Sequence, residues 1–221
     1  MREAFHEQLD EIAGRLVGMT RKAGEQINAA TTALLEADIQ LADQTVAADA
    51  SINRDQLEVD ERLLEMMARQ APVARDLRAL LSAMRSTSDI ERMGDLAVHV
   101  AKIARMRYPD CAVPEEFRRT FRDMGDTAGA MANKAGTVLR TRDLDSADQL
   151  ARDDDEMDQL HRSLFRVMFD SGWNRSVEVA VDVALLGRYY ERFSDHAVHI
   201  AVNVRYLVTG EVEWADSSPG H

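Results

Sequence analysis

The 221-residue chain has a single cysteine, four prolines and few aromatic side chains, and each shortage narrows what it can be. One thiol, Cys111, rules out an internal disulfide, which agrees with a reducing, cytoplasmic setting. Aromatics make up 5%, and prolines stand only at 72, 109, 114 and 219. Strands draw on aromatic and β-branched residues, and proline breaks helices, so scarcity of both favours long helices. No apolar run approaches the roughly 20 residues needed to span a bilayer, so no membrane insertion is expected. The N-terminal MREAFHEQLDE is amphipathic and acidic, unlike a secretory leader. Basic charge is also short. A formal net charge of −12 repels phosphate backbones and argues against direct nucleic-acid binding. With no Gly-rich phosphate loop, no Gly-x-Ser-x-Gly and no Cys-x-x-Cys, nothing marks a nucleophile, and an enzyme is not expected.

What is present is an internal duplication. An offset of 105 places Met19 on Met124, Gly24 on Gly129, Leu34 on Leu139, Asp38 on Asp143 and Asp49 on Asp154. Further on, the offset falls to 100, and ERMGDLAVHVAKIAR (91–105) aligns with ERFSDHAVHIAVNVR (191–205). Eight of these fifteen positions are identical, five of them polar, which chance similarity between helices rarely produces. The fold class is therefore all-α, with two tandem three-helix bundles. Helices are expected over 3–35, 39–69 and 72–107, then over 114–141, 143–170 and 172–208. Asp38 and Asp143 stand where N-caps are wanted, and Pro72 suits a first helical turn. The repeats divide as 1–109 and 110–210, and the polar tail 211–221 is expected to be disordered.

The third helix of each repeat carries the candidate chemistry. On a wheel of about 100° per residue, the stripe through Val73, Leu77, Leu80, Leu81 and Met84 runs on into Ser88, Glu91, Asp95 and His99. In the sixth helix Trp173, Val177, Ala180, Val181 and Ala184 lead to Arg188, Glu191, Asp195 and His199. Acids on a core-facing stripe repel each other and lose hydration, at several kcal/mol per unpaired ion. The second helix adds Asp49 and Asn53, and the fifth Asp154 and Asp158, again four residues apart. If these helices are antiparallel neighbours, four oxygen-bearing side chains converge in each half. Such a set suits a hard cation: Mg, Mn, Ca and Fe take oxygen ligands, and Zn accepts carboxylates. An ion-pair network through Arg92, Arg192, Arg54, Arg75 or Arg188 is the alternative. His99 and His199 are ligands, partners of ligands or ordinary half-buried side chains. His161 and His196 have no repeat counterpart and read as structural. In the run Asp153-Asp154-Asp155-Glu156, only Asp154 matches Asp49 in register.

The repeated Glu-Arg-x-x-Asp-x-x-Val-His (91–99 and 191–199) resembles the signature of PhoU-type phosphate transport accessory proteins. Gln70-Ala-Pro-Val-Ala-Arg-Asp-Leu-Arg78 and the Asp49, Ile52, Asn53 pattern are similar to it too, and the details resemble actinobacterial members. The resemblance spans about 5–208 and implies two similar three-helix bundles. It also implies multinuclear metal clusters, of iron or zinc with Mg or Mn as further options, on Glu91, Asp95, Glu191 and Asp195. Asp154 and Asp158 would partner the second pair, and Asp49 and Asn53 the first. The neutral Asn53 would leave the first cluster less negative. The implied role is a regulatory adaptor, restraining the phosphate ABC transporter and phosphate-starvation two-component signalling. Its partners would be the transporter's ATPase subunit and the regulon's sensor histidine kinase, and the chain would be a homodimer. A carboxylate-bridged metalloenzyme and a metal-free helical scaffold are the competing readings. In the repeated motifs the Glu-x-x-His spacing of ferritin-like sites is absent, and Asp-x-x-x-His stands instead.

Overall fold

A computed structural model describes residues 2–70 and 72–211. It contains six long helices: α1 (Arg2–Glu36), α2 (Ile39–Gln70), α3 (Arg75–Arg107), α4 (Arg118–Thr141), α5 (Leu144–Met168) and α6 (Val177–Thr209). None is long and apolar enough to cross a membrane. Beyond Glu211 the expected tail lies outside the described residues.

The first turn of each repeat is a duplicate of the other. Ala37 (φ 51°) and Arg142 (φ 55°) occupy the same repeat position, and both take the left-handed conformation that ends a helix. The next residue caps the following helix. Asp38 Oδ1 accepts from the Leu41 amide at 3.0 Å, and Asp143 Oδ2 from the Ser146 amide at 2.9 Å. Both caps stand where the sequence places them.

The starts of α3 and α6 differ from expectation. Pro72 precedes α3 rather than sitting in its first turn, and α6 begins at Val177, not at 172. Asp170 explains the second case. Its carboxylate accepts from the Gly172 amide at 2.8 Å and its carbonyl from the Trp173 amide at 3.0 Å. The chain therefore turns until Ser176, whose hydroxyl accepts from the Val179 amide and caps α6. Trp173 is thus off the helix, edge-on to Phe117.

Within the first repeat α1, α2 and α3 pack together, within the second α4, α5 and α6; α1 against α4 and α3 against α6 join the two. The duplicated pairing is literal: Arg105 bonds Asp43, and its counterpart Arg205 bonds Asp148. Helices α1 and α4 run antiparallel and close. Thr20 lies on Gly136, Asn28 on Gly129 and Thr31 on Gly125. A Cβ at Gly125 would stand 2.5 Å from Thr31 Oγ1 and 2.9 Å from its Cβ. Thr31 cannot withdraw, because its hydroxyl bonds both the Ile27 carbonyl and the hydroxyl of the fully buried Tyr190, each at 2.7 Å.

Helices α3 and α6 are also antiparallel. Near one end Arg107 forks onto the buried Asp182 at 2.6 and 3.1 Å. The corresponding positions at the other end, Leu207 and Ser82, instead line a cavity of about 480 Å³ shared with Ile12 and Leu16 of α1.

The core line along α3 is Leu80, Ala83, Thr87, Ile90, Gly94, Ala97 and Ala101, and along α6 Val183, Leu186, Tyr190, Phe193, Ala197 and Val204. The expected core-facing stripe is offset from it. Val73, Leu77, Val177 and Val181 are exposed, and the acids lie on the flank beside the core rather than in it.

Gly125→Ala is expected to destabilise the fold by about 1–3 kcal/mol, despite the better helix propensity of alanine. Gly14→Ala, where a methyl meets nothing within 4 Å, should instead be neutral or stabilising by up to about 1 kcal/mol. Urea denaturation of both variants checks the contrast.

Candidate metal centre

In the first repeat Gly94 opens the space between Glu91 and Asp95. A Cβ there would stand 3.0 Å from Asp49 Oδ1 and 3.1 Å from Ile52, so Asp49 of α2 lies against α3 at Gly94, and its charge reaches Glu91. Asp49 is held from two sides: Gln26 of α1 reaches Oδ1 at 3.5 Å, and the Asn53 amide donates to Oδ2 at 2.9 Å. That leaves Asn53 Oδ1 and Gln26 Oε1 buried with no hydrogen-bond partner. Buried carbonyl oxygens are rarely left unpaired. Burial, and then the charge of Asp95, push Glu91 above the usual carboxylate range; Asp49 adds to this and Arg92 opposes it.

The second repeat is more crowded with negative charge. Asp153 pairs with Lys134 and Gln149, which takes it out of the group and leaves Asp154, as the register indicates. Burial raises Asp154 most; Asp195, Asp158 and Glu191 add their repulsion, and its carboxyl is pushed up to about 7. One of its oxygens, Oδ1, is buried and unpartnered, as is the hydroxyl of Ser194 at the position matching Gly94. Glu191 is likewise raised by burial and by Asp195, against the pull of Arg188.

Arginines hold the rim of each group. Arg92 bonds Asp95 at 3.1 Å, Arg162 bonds Asp158 at 2.9 Å, and Arg188 Nη1 bonds both oxygens of Glu191 at 2.5 and 2.6 Å. Mutual repulsion and these pairs keep the acids apart: among the described residues, no three of the seven carboxylates bring ligand atoms within 4.8 Å of one another. Ion pairing is thus present at the outer edge of each group, while Asp154, Asn53 and Gln26 retain unpaired oxygens on the inner side.

The histidines sort differently from the sequence reading. His99 is exposed and stacks on Tyr189, with ring centroids 5.1 Å apart. His199 and His196 turn to Asp89. His161, read as structural, borders the second group. Its Nε2 is buried without a partner, and burial and then Arg188 lower its proton affinity against the opposing charges of Asp158 and Asp195. The signal for it was the helical spacing Asp154, Asp158, His161, which puts all three on one face. Gln26, contributed by α1, had no such local signal.

A family model described as the PhoU domain matches residues 16–104 and again 121–204. The chain belongs to the PhoU family. Across 220 residues it is 46% identical to "Phosphate-specific transport system accessory protein PhoU homolog 1" of Mycobacterium leprae, covering 100% of this chain and 99% of that one. It is 47% identical over 210 residues to the PhoU homolog 2 of Mycobacterium tuberculosis, covering 95% and 99%. The crystal structure of PhoU from Pseudomonas aeruginosa superposes with a TM-score of 0.83 at 30% identity, over 94% of this chain and all of that one. The phosphate transport system regulatory protein PhoU from Streptococcus pneumoniae gives 0.83 at 26% identity. These relatives bear the names of accessory and regulatory proteins, not of enzymes.

Asp154 yields a sign-definite prediction for this PhoU-family chain. Its folded pKa lies above the unfolded value, so the folded state binds the extra proton and loses stability as pH rises from about 4 to about 7. In chelator-treated protein, Asp154→Asn should therefore stabilise at pH 8 by about 1–2 kcal/mol, after allowance for solvent screening. The gain should shrink as pH falls from 7 toward 4, as thermal melts across that range will read.

Proposed function

We propose that the chain is a metal-binding regulatory adaptor of phosphate homeostasis. It restrains the phosphate ABC transporter and phosphate-starvation two-component signalling when phosphate is plentiful. It works in the cytoplasm as a homodimer, and it contacts the transporter's ATPase subunit and the sensor histidine kinase. The observation that carries the role is near-full-length similarity to proteins named as accessory proteins of a phosphate-specific transport system. The strongly acidic helical body, with no visible nucleophile, is in keeping with an adaptor.

The residues present fit a bound cation in each repeat (1–109 and 110–210). In the second, Asp154, Asp158, Glu191 and Asp195 would hold it; the unpaired, proton-holding carboxyl of Asp154 is a ligand waiting for positive charge. In the first, Asp49, Asn53, Glu91 and Asp95 would do so, with the free Oδ1 of Asn53 as a neutral ligand. The family resemblance points to iron or zinc in these sets, and oxygen ligands are equally compatible with Mg or Mn. A cation would draw Glu191 from Arg188 and Asp95 from Arg92, relieve the repulsion between acids and stiffen α2 on α3 and α5 on α6.

A strain lacking the gene should express its phosphate regulon in high phosphate, measured with a regulon reporter, and the wild-type chain should restore repression. Normal repression in the deletion strain, with no paralogue to compensate, would reject the regulatory role. Protein purified without a histidine tag should carry metal by elemental analysis. Glu191→Gln should lower the content by about half or more, and Asn53→Asp should raise retention in the first repeat during dialysis. Less than one tenth of an equivalent per chain in wild type would reject the metal.

A further inference from the structure

We propose a second kind of metal site, distinct from the carboxylate groups, in which Asp89 of α3 and His196 and His199 of α6 hold one zinc-class divalent transition-metal ion across the joint between the repeats. Nδ1 of His196 lies 3.0 Å from Asp89 Oδ1, and Nδ1 of His199 lies 3.4 Å from the same oxygen. Among the described residues, these are the only three His, Cys, Asp or Glu side chains whose ligand atoms all come within 4.8 Å of one another. Ligands about 2.0–2.1 Å from a tetrahedral zinc stand about 3.3 Å apart, so each histidine nitrogen already lies from Asp89 Oδ1 at about the distance between two corners. The other Asp89 oxygen accepts from the Asn203 amide at 3.1 Å, which orients the carboxylate as the outer partners of metal ligands do. His196 and Asp89 are largely covered, while the His199 side chain is 44% exposed, leaving a way in and an open fourth position. Two histidines with one carboxylate and an open corner suit zinc, iron(II) or cobalt(II), in contrast to the oxygen-only acidic groups.

The duplication supplies an internal control. The positions matching Asp89, His196, His199 and Asn203 are Tyr189, Leu96, His99 and Ile103. Because α3 and α6 are antiparallel, that set occupies the related place across the same joint, where Tyr189 stacks on His99. The fold therefore closes this contact with a largely apolar set in one half. A largely covered Asp-His-His-Asn cluster in the other is not demanded by packing, and an apolar replacement of buried charge commonly costs nothing.

The test uses the full-length, untagged chain, stripped with chelator and titrated with cobalt(II), followed by visible absorption and X-ray absorption fine structure. The expected result is one equivalent with the intense band of tetrahedral cobalt and imidazole scattering. Asp89→Asn, which keeps the shape of the side chain but removes its charge and one of its two accepting oxygens, should lower cobalt affinity at least tenfold and remove the band. His196→Leu, the residue of the other repeat, should do the same. The double variant Glu191→Gln, Asp195→Asn should keep the band while losing oxygen-only metal. No imidazole-liganded cobalt in wild type, or an unchanged band in folded Asp89→Asn, would overturn the proposal. If the band survives where oxygen-only metal is never found, the carboxylate reading fails and this one stands.

Discussion

Everything in this molecule rests on how closely α1 and α4 approach. The two repeats meet along α1 and α4 where Gly125, Gly129 and Gly136 lie under Thr31, Asn28 and Thr20. Small residues there bring backbone to backbone, and the seam is pinned by the buried Thr31–Tyr190 hydrogen bond. Tyr190 belongs to α6, so the same contact that joins α1 to α4 also fixes the helix that carries Glu191 and Asp195. Packing at the centre and acid placement on the flank are two results of one arrangement.

The flank position of the acids matters chemically. A carboxylate in the core would be neutralised by proton or by arginine outright, and one in bulk water would exert little pull on a cation. These groups have both characters. Their outer members are tied to Arg92, Arg162 and Arg188, while the inner ones keep unpaired oxygens. Asp154 expresses the compromise, since it holds a proton near neutral pH instead of a partner.

Much of this could be read from residues alone. The duplication, the helix count and the caps at Asp38 and Asp143 all follow from local chemistry or register, and the structure agrees. The starts of α3 and α6 did not: Pro72 and Gly172 are both compatible with a first turn, and at α6 only the hydrogen bonds of Asp170 and Ser176 decide against it. The stripe was misplaced by a fraction of a turn: Glu91 neighbours Ile90 and Gly94 on the wheel, and a broad arc does not separate core from flank. Contacts across the repeats, such as Asp89 with His196 or Arg107 with Asp182, depend on the antiparallel pairing of α3 and α6. No periodicity within one helix encodes that.

The paired reversals at Ala37-Asp38 and Arg142-Asp143 act as a ruler. Asp49 and Asp154 each stand eleven residues beyond their cap, about three helical turns and some 16 Å from a point that the backbone itself defines. Duplication copied the origin along with the mark. A one-residue insertion anywhere along that span would swing either acid by about 100°, off the neighbouring helix and into solvent, while leaving every side chain of the two groups in the sequence.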